Sequence, residues 1–169
     1  MGAIDVGNQA TNRNNNWGTA NYTLLDLANP ADGTGTITSI EIWAVVNLTG
    51  ARIGVFYLSG GKYYCRGSAT LGAVTAGSKQ IFNAPADFPA FPVEVGDVIG
   101  LLFTGGQIEN STTDPTDMAY YNGEVLDPGD NAIFTTYANH GMSVYGTGVT
   151  SAAPASGGSP VQALRAGVI

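Results

Sequence analysis

Charge is scarce in this chain, and so are the residue types that do most chemistry. Only 11% of its 169 residues are Asp, Glu, Lys or Arg, and histidine and cysteine occur once each, as His140 and Cys65. Active sites draw on clustered His, Cys, Lys or paired carboxylates. That supply is thin, and the composition predicts a protein that is not an enzyme. One cysteine excludes an intrachain disulfide framework, so packing and sheet hydrogen bonds must hold the fold. Cys65, in Lys62-Tyr63-Tyr64-Cys65-Arg66, reads as a small apolar side chain on a strand. No apolar run approaches the length of a membrane span, and the first residues lack the basic and apolar regions of a signal peptide. Basic residues are few as well. Six Lys and Arg against thirteen Asp and Glu give a net charge of −7, which argues against nucleic acid and against anionic membranes as partners.

What the chain does have is glycine, with 24 copies, together with threonine, asparagine and alternating apolar residues. Residues 1–18 are polar and amide-rich, which predicts an N-terminal arm. Residues 19–148 form a run of strand-like segments, and 149–169 read as a Ser/Ala/Gly/Pro-rich C-terminal arm. The clearest strand covers 36–48, where Ile40, Ile42, Ala44, Val46 and Leu48 fall at every second position and so share one face. Thr49-Gly50 reads as its end, with a second strand over 52–58. Ser59-Gly60-Gly61-Lys62 then supplies a hairpin turn. Pro85, Pro89 and Pro92 argue against a central strand through 84–92. The apolar run at 98–103 suits a strand covered on both faces. About eight strands predict an all-β fold: an antiparallel two-sheet sandwich, jelly-roll-like, with extended arms. The segments 104–117 and 122–131 read as long loops, where recognition commonly resides.

Few motifs carry chemistry. Asp114 with Asp117, and Asp127 with Asp130, place carboxylates beside turns, where loop oxygens can hold a structural Ca2+. Asp-Pro and Pro-Gly-Asp are also ordinary turn formers, and no cofactor is expected. His140 lacks any nucleophile-elbow partner and reads as a turn residue. Trp17, Trp43, Tyr57, Tyr63, Tyr64, Tyr120 and Tyr121 divide among core, subunit interface, ordinary surface and a sugar-stacking platform. If 63–64 and 120–121 are strands, one ring of each pair faces outward. Leu164, Val168 and Ile169 give the C-terminal arm apolar side chains with which to dock on a neighbour.

The segment Gly35-Thr36-Ile37-Thr38-Ser39-Ile40-Glu41-Ile42-Trp43 through Val55-Phe56-Tyr57 resembles small β-sandwich proteins of tailed-phage virions. Val93-Glu94-Val95-Gly96-Asp97-Val98-Ile99-Gly100-Leu101 is similar to a turn-and-strand pattern of viral and bacterial jelly rolls. The resemblance covers roughly 20–148. It implies a capsid-decoration, head-fibre or tail-associated role in the virion, often as a homotrimer touching the major capsid protein. The expected contact residues are Trp17, Tyr63, Tyr64, Tyr120, Tyr121, Leu164, Val168 and Ile169. A carbohydrate-binding or receptor-binding module is the alternative, with a glycan as partner.

Overall fold

A computed structural model describes residues 2–151, and within them the chain is all-β. In chain order the strands are β1 (Ala3–Gly7), β2 (Asn15–Trp17), β3 (Tyr22–Asp26), β4 (Gly35–Ser59) and β5 (Lys62–Val74). Then come β6 (Lys79–Asn83), β7 (Phe91–Val93), β8 (Val98–Leu102), β9 (Gly105–Ser111) and β10 (Met118–Asn122). β11 (Asn131–Ala132), β12 (Thr135–Tyr137), β13 (Gly141–Met142) and β14 (Val144–Thr150) complete the set. Pairing between named strands is antiparallel throughout.

One strand organises the rest. The first part of β4 pairs β14, β6 and β7, its middle pairs β9, and its last part lies between β8 and β5. All fourteen strands thereby join a single hydrogen-bonded network. The expected break at Thr49-Gly50 does not occur. The register slips there instead, between Leu48 and Ala51, and Gly50 takes a left-handed φ of 58°. A bulge of this kind bends a strand without ending it. It also breaks the alternation: Ile40, Ile42, Ala44 and Leu48 are fully buried, but Val46 is 47% exposed. At the other end, Gly60 and Gly61 both have positive φ and close the β4–β5 hairpin, as the sequence predicts.

β8 runs through the centre with all five residues buried. Ile99 and Leu101 belong to the main core with Ile53, Val55 and Leu24. Val98 and Leu102 point into a second core with Leu25, Phe56, Cys65 and Leu126. Between them Gly100 leaves room: a Cβ there would lie 2.6 Å from the Phe56 ring and 2.8 Å from Leu25 Cδ2.

Three more sequence expectations are corrected. Residues 3–7 are not a free arm; β1 pairs β14 and buries Ile4 and Val6. The segment 104–117 is not one loop, because β9 occupies its first half between β4 and β2. Pro92 lies within β7, but β7 is an edge strand that pairs only with β4, so no central strand runs through 84–92, as the prolines predict. The segment 122–131 is less a recognition loop than a lid, with Val125 and Leu126 buried in the second core. The last strand runs to Thr150, and the remainder of the expected C-terminal arm, with Leu164, Val168 and Ile169, lies outside the described residues.

Candidate functional site

Register decides which aromatic rings meet. Tyr120 lies opposite Leu24 on one side and Thr135 on the other. Tyr22 and Tyr137, two residues farther along those neighbouring strands, therefore share its face on a diagonal. Their ring centroids lie 6.1 and 6.2 Å from that of Tyr120. Trp17 reaches the same place from β2, at 5.6 Å from Tyr120, 6.1 Å from Tyr22 and 6.0 Å from Tyr137. Its indole N–H donates to the Thr19 carbonyl.

His140 extends this group. Asn139 adopts a φ of 59°, and its N–H donates to Asp117 Oδ1, which fixes a tight turn after β12. The turn lays the imidazole on the Tyr137 ring at 3.8 Å and 25° between planes. Nδ1 lies 2.7 Å from the Ala138 carbonyl. A carbonyl only accepts, so Nδ1 carries the hydrogen and Nε2 is left as the other polar atom of the ring.

The remaining sequence-predicted residues go elsewhere. Tyr121 and Tyr63, one residue out of phase with Tyr120 and Tyr64, turn toward Phe134 at 5.8 and 5.6 Å and cover the second core. Tyr64 stacks on Tyr57, directly opposite in the β4–β5 ladder, at 5.3 Å and 16°. The Arg66 guanidinium lies 4.6 Å from the Tyr57 centroid. Arg66 is held in place by the buried Asp97 carboxylate, at 2.6 and 3.1 Å, and by Glu94 at 3.0 Å. The hydrogen bond to Asp97 is the main cause that raises the Arg66 pKa. At the same end of the hairpin Leu58 is 61% exposed, and Ile133, just after β11, is 70% exposed.

The carboxylates expected near turns also separate. Asp114 accepts from Thr116 and pairs with Arg13 at 3.4 Å, while Asp117 serves Asn139. Asp127 and Asp130 do converge, with Glu124, to ligand-atom distances within 4.8 Å. Arg52 already bonds Glu124 at 2.8 Å and Asp127 at 2.7 Å, so the cluster is an ion-pair network around a resident cation. Cys65 is buried, and desolvation pushes its thiol up to about 12.

One polar group inside the fold escaped the sequence reading. Asp26 is fully buried at the end of β3 and accepts hydrogen bonds from Asn8 Nδ2, the Ala28 N–H and the Met142 N–H. Burial outweighs these donors and lifts its carboxyl from 3.8 to about 6. Asn8 and Asp114 close over Gly141, where an added Cβ would lie 2.6 and 2.5 Å from their side-chain atoms. The buried Asn110 nearby donates to Met118 Sδ, and its Oδ1 has no partner among the described residues.

No family model and no curated protein matches the chain. No helix among the described residues is long and apolar enough to cross a membrane.

Proposed function

We propose that this chain is a non-enzymatic structural protein of a tailed-phage virion, decorating the capsid or sitting on its tail as a self-associating subunit, in keeping with the resemblance drawn from its sequence. The observation that carries the reading is the outer end of the β4–β5 hairpin. There the Tyr57–Tyr64 stack lies on one face, Leu58 stands largely exposed on the other face opposite Tyr63, and Ile133, just after β11, is exposed as well. Large apolar groups left exposed on a strand favour burial against another chain, and Tyr and Arg are enriched at such contacts. The Arg66–Asp97 pair adds rigidity, since a guanidinium fixed by a buried carboxylate holds the Tyr57 ring before any partner arrives. The low charge of the chain suits a packed interface. A two-layer jelly-roll arrangement, a homotrimeric state and contact with the major capsid protein belong to the same proposal.

Light scattering over a range of concentrations tests it. The native chain is expected to have the mass of a trimer, and the double variant Leu58→Glu, Ile133→Glu the mass of a monomer with an unchanged melting temperature. A native chain that stays monomeric at every concentration would overturn the assembly reading.

A further inference from the structure

We infer that the face formed by Trp17, Tyr22, Tyr120, Tyr137 and His140 is a binding site for a neutral saccharide. The inference does not rest on the assembly proposal, whose residues lie at the end of the β4–β5 hairpin.

Three features point to this ligand class. The first is ring surface. Five aromatic side chains from four separate stretches of chain converge with neighbouring centroids between 3.8 and 6.2 Å apart. Tyr137 is 43% exposed on β12, an edge strand whose three residues are all exposed. The C–H faces of a pyranose ring need an apolar surface of this sort to lie on.

The second is polar groups set into that surface. Each tyrosine carries a hydroxyl that both donates and accepts, and His140 offers Nε2 because Nδ1 is bound to Ala138. Sugar hydroxyls require hydrogen-bonding partners beside the stacking ring, whereas a purely apolar partner would leave these groups unpaired. The turn engages Nδ1 alone, and Asp117 orders the Asn139 backbone that sets the imidazole on Tyr137.

The third is charge. None of the five side chains is an Asp, Glu, Lys or Arg, and the whole chain carries −7. This face therefore provides no counter-ion cluster for a sulfated or sialylated glycan, which selects for an uncharged one.

The experiment uses the full chain in a Trp43→Phe background, so that Trp17 is the single fluorescent indole. Maltohexaose, cellohexaose, mannohexaose and chitohexaose are titrated, with heparin as the anionic comparison. At least one neutral oligosaccharide is expected to shift Trp17 emission with millimolar affinity, and Tyr137→Ala and His140→Ala to weaken it about tenfold or more. Both variants should melt with the native chain, because the two side chains are stacked at the surface. Four outcomes would overturn the inference. They are no response to any neutral sugar, unaltered binding in both variants, tighter binding of heparin, or a change in oligomer mass in the variants without a sugar response. The last would assign the face to a protein contact.

Discussion

The buried carboxylate of Asp26 accepts the backbone N–H of Met142 at 2.9 Å and so fastens β3 to β13. Donors surround this carboxylate, which favours its charged form, yet desolvation dominates and Asp114 adds a smaller push in the same direction. The folded-state pKa, about 6, lies above the ordinary 3.8. Between those values the native state holds more protons than the unfolded chain. Its contribution is therefore complete below 3.8 and is lost as pH rises through about 6. Urea unfolding at pH 5 and pH 7 should find the protein more stable at the lower pH, by up to on the order of 3 kcal/mol across the whole window. In Asp26→Asn this dependence should flatten. Equal slopes in the two proteins would remove Asp26 as its source.

Gly100 should not tolerate a methyl group. An alanine Cβ would strike the Phe56 ring and Leu25, both in the second core, on the face of β8 that Gly100 shares with Val98 and Leu102. Overpacking of this type costs about 1–3 kcal/mol. Gly100→Ala should lower the urea midpoint accordingly. Gly2→Ala, whose Cβ would meet only Thr150 at 3.5 Å, should leave it unchanged.

Cys65 should be silent toward thiol reagents in the folded protein. Its thiol is buried and shifted up to about 12, with burial as the leading cause. Only the thiolate reacts. Incubation with iodoacetamide at pH 8 should leave native protein unmodified by mass spectrometry and alkylate it fully in urea. Rapid labelling without denaturant would contradict the placement of the side chain.

Asp97→Ala should be among the costliest single changes outside the apolar core. The carboxylate is buried, bonds Arg66 twice and also accepts the Glu94 N–H. Breaking a buried pair from one side costs about 3–5 kcal/mol, and the half-exposed position of Arg66 places this one at the lower end. Thermal unfolding measures the loss. The double variant Asp97→Ala, Arg66→Met should recover part of it.

Much of the fold was legible because local patterning agreed with tertiary burial. The run at 98–103 reads as a strand covered on both faces, and Ile99 and Val98 do enter different cores. Gly60-Gly61 reads as a hairpin and is one. Where the sequence misled, the deciding contact was distant. Gly105-Gly106-Gln107 looks like loop, but β4 and β2 enclose the strand it opens. Thr49-Gly50 has the composition of a turn, and the ladders on either side carry β4 through it as a bulge. Trp17 and Tyr120 stood out as separate aromatics. Their convergence with Tyr22, Tyr137 and His140 depends on β2 docking beside β9, and no spacing along the chain encodes that. Alternation put the rings of each pair on opposite faces, but the expectation that one ring of each faces outward holds only for Tyr63-Tyr64, because Tyr120 packs against the main core and Tyr121 against the second.

The pairing of β1 with β14 has a mechanical consequence. Ala3 lies opposite Val149, and the Thr150 N–H donates to the Gly2 carbonyl. Gly2 and Thr150 therefore lie side by side at one edge of the protein. Tension applied between the two ends loads this ladder as a zipper, one rung at a time, beginning at Gly2 and Thr150. Tension between either end and the tip of the β4–β5 hairpin runs instead along β4, where many backbone hydrogen bonds share the load in shear. Pulled at Gly2 and Thr150 the fold yields at a low force, and gripped at the hairpin it resists.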